Sequence, residues 1–181
     1  MISQFPFFLS IGDGTRPFNY AGSIAISRIL GSELVEISSD NNPIETLKEI
    51  ENKNELIQFI GDAAMLHPSG TSWMEAIGAW GQPVILMVKP TSSGEIPGIA
   101  AAYVSLCKSL SVPLVGLVQL GGSWDFVTRK ADGLPWCGCI PTEVLEKGFS
   151  WEKRRLDTSL VLEEIVSRLK ARINFLKYRS S

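Results

Sequence analysis

PVILMVK (residues 83–89) is the stretch of this sequence that decides its fold. Every residue from Val84 to Val88 is apolar, and prolines stand at the start of the stretch, Pro83, and directly after it, Pro90. A strand of a parallel sheet has this composition because helices cover both of its faces. The stretch therefore predicts a central parallel strand in an α/β protein.

Strand and helix patterns alternate on both sides of this strand. The other predicted strands are FPFFLSI (5–11), ELVEI (33–37), LIQFIG (56–61), Pro113–Leu120 and Leu134–Ile140. The predicted helices are Tyr20–Leu30, Pro43 to about Lys53, Thr71–Trp80, Ile99–Leu110 and Ser159–Leu176. Such alternation predicts a three-layer, doubly wound, mostly parallel sheet with helices on both faces, as one domain over residues 1–181.

Composition restricts the classes of function. The net charge of −2 disfavours attraction to nucleic acid or to an acidic membrane surface. The apolar runs are shorter than a membrane-spanning helix, and the first residues read as a strand and not as a secretory leader, so we expect a cytoplasmic location. Three cysteines and one histidine, His67, predict neither a disulfide framework nor a zinc site.

Ligands of doubly wound sheets bind at the carboxyl ends of the strands. The loops expected to form the site are therefore Gly12–Gly22, Asp62–Ser72, Pro90–Gly98 and Leu120–Leu134.

The first of these loops, within SIGDGTRPFNYAGS (10–23), stands where a phosphate-binding loop belongs. Backbone amides of a glycine-rich turn can hold an anion. The candidate anion-binding residues are Gly12, Asp13, Gly14, Thr15, Arg16, Gly22 and Ser23. A P-loop ends in G-K-[ST], whereas this loop contains no lysine and only Arg16 brings positive charge. Loss of that lysine predicts loss of ATP hydrolysis, and an ordinary strand-to-helix turn is the alternative interpretation.

Asp62 follows the third predicted strand, where a carboxylate can hold magnesium. Asp62 and His67 are the candidate catalytic residues. An alternative hypothesis is a small-metabolite enzyme on a Rossmann-like sheet that uses Asp13, Asp62, His67 or Ser93. In one version, His67 pairs with Ser69 or Ser93 for nucleophilic catalysis, although no nucleophile-elbow motif accompanies them.

Large aromatic residues are frequent, and several of them look exposed in the sequence. They are Trp73, Trp80, Trp124, Phe126, Trp136 and Trp151. They either cover the ends of the core or form a surface that binds a partner or stacks on a base. A contiguous exposed patch of tryptophans would indicate a protein-interaction module, and Trp124 is the best candidate for stacking.

Four segments carry a resemblance to a known family. They are FIGDAAMLHPSG (59–70), PVILMVKPTSSGEIPGIAAAYVSL (83–106), VPLVGLVQLGG (112–122) and LPWCGCIPTE (134–143). In this order they resemble the dethiobiotin synthetase and cobyrinic acid synthase branch of the P-loop NTPases, which is related to the ParA and MinD ATPases. From Leu56 onward, the chain looks like a degenerate member of that branch.

The resemblance implies ATP and magnesium as cofactors, with Asp62 near the magnesium. It places Gln119 near the adenine, where the family often has asparagine, and the Ile140-Pro141-Thr142 turn beside the base. It also implies a homodimer. Because the lysine is absent and the asparagine is replaced, we expect a domain that has lost ATP hydrolysis and acts as a nucleotide- or anion-binding module or through a protein partner.

Overall fold

Six apolar runs form one parallel sheet in the computed structural model, which describes residues 6–12, 16–51, 53, 55–147 and 156–180. The strands are β1 (Phe7–Ile11), β2 (Leu34–Ser38), β3 (Leu56–Ile60), β4 (Val84–Val88), β5 (Leu114–Leu120) and β6 (Trp136–Ile140). Their order is β2-β3-β1-β4-β5-β6, and every neighbouring pair is parallel. The predicted α/β class is confirmed.

Seven helices are present in the described part of the chain. They are α1 (Arg16–Leu30), α2 (Pro43–Ile50), α3 (Trp73–Ala79), α4 (Ile99–Ser109), α5 (Phe126–Ala131), α6 (Thr142–Lys147) and α7 (Leu156–Ser180). Residues of α1, α6 and α7 share one apolar core with the sheet, and residues of α2, α3 and α4 share the other. The sheet therefore lies between two helical layers, as predicted. None of the described helices is long and apolar enough to cross a membrane.

The strand β4 shows how the two cores divide. Val84, Leu86 and Val88 belong to the core beneath α2, α3 and α4, whereas Ile85 and Met87 belong to the core beneath α1, α6 and α7. Successive side chains of a strand point to opposite faces, so an unbroken apolar run fills both cores. All five side chains are fully buried.

The ends of two predicted helices are set by local hydrogen bonds. Asn42 caps α2, because its side chain accepts from the main-chain N–H groups of Ile44 and Glu45, and Pro43 follows in the first turn. Ser72 caps α3 in a capping box with Glu75, so this helix begins two residues later than predicted.

Two further helices, α1 and α7, differ in extent from the prediction, and two short helices, α5 and α6, were not predicted. The helix α1 begins at Arg16 instead of Tyr20, since Pro17 is tolerated in a first helical turn. The short helix α5 lies in the predicted loop Leu120–Leu134, and no element was predicted where α6 lies. Six residues are too few to show a helical period. The last helix, α7, extends beyond both predicted ends.

We expect Gly78→Ala to destabilise the protein by about 1–3 kcal/mol because the added Cβ would collide with the main-chain carbonyl of Leu110. In an open helix the same change would stabilise by roughly 1 kcal/mol. Gly98→Ala is the matched control, since a Cβ there meets no atom within 4 Å. Urea denaturation of both variants measures the difference, and equal stabilities would contradict the close packing of α3 on Leu110.

Candidate functional site

A cleft of about 400 Å³ opens at the carboxyl ends of β1 and β3. The end of β1 contributes Ser10 and Gly12, the end of β3 contributes Gln58 and Asp62, and α4 contributes Tyr103. Since α1 covers one face of the sheet and α3 and α4 cover the other, the helices that follow these strands diverge above the cleft. A crevice of this kind is the usual ligand position in a doubly wound sheet.

Asp62 is held in the cleft by α4. Its Oδ1 accepts from the hydroxyl of Tyr103 and from the main-chain N–H of Ala64, the latter at 2.9 Å. Burial, together with the neighbouring carboxylate, raises the pKa of Tyr103, so this phenol stays protonated and keeps donating. No donor among the described residues reaches Oδ2 of Asp62, which leaves that oxygen for a ligand.

Arg16, the predicted cation of the first loop, forms an ion pair with Glu36 of β2. Its Nη2 lies 2.7 Å from Oε2 of Glu36, and the arginine side chain is 66% exposed. Such a surface pair stabilises the fold by at most about 1 kcal/mol. Within the described lining of the cleft, Arg16 is the only cation, so Glu36 and Asp62 outweigh it and the cleft is negative.

The floor of the cleft is polar and internally bonded. Gln58, 3% exposed, accepts a short hydrogen bond from the hydroxyl of Ser23. Its Nε2 donates to the carbonyl of Phe59 at 3.1 Å and to Ser10 Oγ at 3.5 Å. The amide therefore joins α1 to β1 and β3 beneath the ligand position. A glutamine within an otherwise apolar strand was the feature of the sequence that could have indicated this buried polar contact.

Gly22 and Ser23 do not line the cleft. Both lie inside α1, as the predicted helix Tyr20–Leu30 implies, and both are buried. A Cβ at Gly22 would meet Leu120 at 2.7 Å, and Ser23 donates to Gln58 and to the carbonyl of Asn19. Their assignment to anion binding is corrected to a packing role. Asp13, Gly14 and Thr15 lie outside the described residues.

His67 does not line the cleft. Its Nδ1 lies 2.8 Å from Ser69 Oγ and also accepts from the main-chain N–H of Ser69 at 3.0 Å, while Nε2 lies 3.4 Å from the carbonyl of Asp40. The ring thus joins its own turn to the end of β2. Ser93, the other proposed partner, instead bonds with Thr91 and Glu95 in a separate loop.

Gln119 is fully buried, and its amide is used within the fold. Its Nε2 donates to the carbonyls of Gly121 and Ser123 at 2.8 and 3.0 Å, and its Oε1 accepts from Nε of Arg129 at 2.9 Å. These bonds fix the turn after β5. Gln119 therefore belongs to an internal network that Arg129 completes and that the sequence did not reveal. Its position near an adenine stays a prediction.

Pro141, the other residue predicted near a base, lines a separate cavity of about 340 Å³. Trp124 and Phe126 line the same cavity. The turn between β6 and α6 is joined to the turn after β5, since the Gly122 N–H donates to Thr142 Oγ1 at 3.2 Å.

Most of these aromatic residues belong to the core, which agrees with the interpretation that they cover its ends. The described tryptophans form no contiguous exposed patch, so the alternative of an interaction surface made by them is not supported. Trp73 and Trp136 are 1% and 9% exposed, and Trp80 and Trp124 are partly buried. Trp124 packs edge-on against Trp136 with ring centroids 6.0 Å apart. Phe126 is exposed, and Trp151 lies outside the described residues.

The described residues form neither a cluster of soft-metal ligands nor a reactive thiol. No group of three or more metal-ligating side chains occurs in the part of the chain that the structure describes. The cysteines are free, and burial raises the pKa of Cys107 and of Cys139 to about 11, which disfavours thiolates at neutral pH. A magnesium ion would be held by Asp62 together with oxygens of its ligand, which is how Mg²⁺ commonly binds.

No protein-family model matches this chain, and no curated protein matches it.

We expect stability to fall above about pH 10, because unfolded chains ionise Tyr103 there while the folded protein keeps it neutral. The stabilisation is complete below that pH and is lost as the pH rises toward the raised pKa. In Tyr103→Phe this part of the decline should disappear, at a cost of about 1 kcal/mol near neutrality. Urea denaturation across the alkaline range tests this, with the exposed Tyr178→Phe as control. An unchanged pH dependence in Tyr103→Phe would contradict the assignment.

Proposed function

We propose that this chain is a nucleotide-binding domain of the P-loop NTPase type that binds a magnesium-bound nucleotide and has lost ATP hydrolysis. One observation carries the proposal: β1 lies beside β3, so the turn after β1 and the carboxylate of Asp62 share one cleft. Phosphates beside the glycine turn and a magnesium ion beside Asp62 would then be neighbours.

The charge of the cleft favours a ligand that brings its own cation. Glu36 and Asp62 face a single arginine, so a bare triphosphate is repelled whereas its magnesium complex is repelled less. Oδ2 of Asp62 is the oxygen best placed to contact the ion or its bound water, since Oδ1 is held by Tyr103 and Ala64.

The same arrangement explains why hydrolysis is not expected. Phosphoryl transfer depends on positive groups aimed at the transferred phosphate and on a residue that orients the attacking water. The described lining has Arg16, which is paired with Glu36, and it does not include His67. A bound nucleotide would therefore serve as a stable ligand.

Calorimetric titration tests the binding. We expect Mg-ATP to bind the purified chain without turnover, and Asp62→Asn to weaken this binding at least about tenfold, because the ion loses its carboxylate. ATP with excess chelator should bind both proteins weakly, and Asp62→Asn should bind it no worse than the wild type, because one repelling carboxylate is gone. Glu49→Gln, on the exposed side of α2, is the control for loss of one negative charge. Rapid ATP hydrolysis, or equal Mg-ATP affinity in Asp62→Asn, would overturn the proposal.

We also propose that the domain acts through a protein partner or a second copy at this edge. Apolar side chains stand exposed around the cleft: Tyr20 and Ile99 in its lining are 41% and 46% exposed, and Met65 and Leu66 follow Asp62 at 64% and 67%. Light scattering with and without Mg-ATP should show self-association that Leu66→Glu abolishes and the distant Tyr178→Glu does not. A monomer under both conditions would reject the second copy as the partner.

A further inference from the structure

A third cavity lies on the opposite side of β1 from Asp62. It measures about 330 Å³ and is lined by Lys89, Pro90, Thr91, Ser92 and Pro97. The register of β1 and β4 pairs Ile11 with Val88, so Gly12 and Lys89 are the residues that directly follow this pair. Pro97 packs near Gly12, since a Cβ added there would lie 3.7 Å from Pro97 Cγ. The cavity therefore adjoins the glycine turn.

Among the described residues, no carboxylate neutralises the positive charge of Lys89. Its Nζ lies 4.8 Å from the ring centroid of Phe18, in the first turn of α1, and the side chain is partly buried. No carboxylate forms an ion pair with it in the described part of the chain. Glu95, the acid of the neighbouring loop, accepts from Ser93 instead. An aromatic face holds a cation in position without removing its charge, in contrast to the pairing of Arg16 with Glu36.

We infer that Lys89 is the cation of an oxyanion subsite in this cavity, and that the subsite takes a phosphate or diphosphate group. The identity of the ligand rests on the proposed function. Lys89 would supply, from the end of β4, the lysine charge that the loop after β1 lacks. The exposed hydroxyl of Ser92 is available as a further donor, whereas Thr91 is bonded to Ser93 and Glu95.

The subsite also fits the proposed loss of hydrolysis. Lys89 follows β4 and Asp62 follows β3, so β1 stands between the cation and the carboxylate. A diphosphate group can contact Lys89 while a metal contacts Asp62, but the cation does not line the cleft that holds Asp62. The charge of Lys89 would therefore strengthen the binding of the phosphate groups without assisting their hydrolysis.

Titration of inorganic pyrophosphate and of Mg-ATP into charge variants tests this inference. Lys89→Met keeps an unbranched apolar stem over Phe18 and removes the charge. We expect it to raise the Kd of both probes by roughly tenfold or more, as for loss of a charge-assisted hydrogen bond. Lys89→Arg should retain most of the affinity, and Lys108→Met, exposed on α4, should be unchanged. If Lys89→Met fails to fold, Phe18→Leu, which frees the ammonium, replaces it, with a smaller loss expected.

The outcomes separate the subsite from the proposed function. Pyrophosphate binding that depends on Lys89, in a chain that does not bind Mg-ATP, supports the subsite and rejects the nucleotide function. Mg-ATP binding that is unchanged in Lys89→Met supports the nucleotide function and overturns the subsite. Weakened binding of both probes supports both, and a wild-type chain that binds neither probe overturns both.

Discussion

The complete burial of β4 on both faces is the constraint on which the rest of this structure depends. Its alternating side chains fill two separate cores, and each core requires its own helical layer. Burying apolar surface is the dominant favourable contribution to folding, so a strand of this kind cannot be left at an edge or beneath one layer. With β4 inside the sheet and β1 beside it, the turn that follows β1 lies between the ends of two other strands.

The turn after β1 separates the acidic side chains at the end of β3 from the lysine at the end of β4. Counting the described lining residues, the cleft on the β3 side is negative, because Asp62 adds to the paired Arg16 and Glu36. The cavity on the β4 side is positive, because Lys89 is its charged residue. A ligand that bridges the turn after β1 would meet opposite charges at its two ends. A metal-bound phosphate compound has that polarity, whereas a bare anion or a bare cation matches only one side. The proposals for binding without hydrolysis and for Lys89 both follow from this division.

The sequence predicts the strands well and the polar site poorly, for physical reasons. Strand β4 is recognisable because two-sided burial demands a continuous apolar run, and the Asn42 cap is recognisable because its hydrogen bonds are local. The polar side chains are different, since a glutamine at a strand end looks the same whether it faces a ligand or an internal partner. The bond between Gln119 and Arg129, ten residues away, is one that no pattern around Gln119 indicates. The contact of Tyr103 with Asp62 joins residues 41 positions apart and has no local signature.

The buried Arg129 connects two loops at this edge of the sheet to the aromatic side chains beside them. Its guanidinium donates to Gln119 at the end of β5 and to the carbonyl of Gly94 in the loop after β4, and it lies over the ring of Trp136 at 5.5 Å. One side chain thus ties two neighbouring loops to an indole, which in turn contacts Trp124. A displacement of the Gly94 loop would therefore be transmitted through Arg129 to Trp136 and Trp124, so the intrinsic tryptophan fluorescence is expected to respond to events beside Lys89.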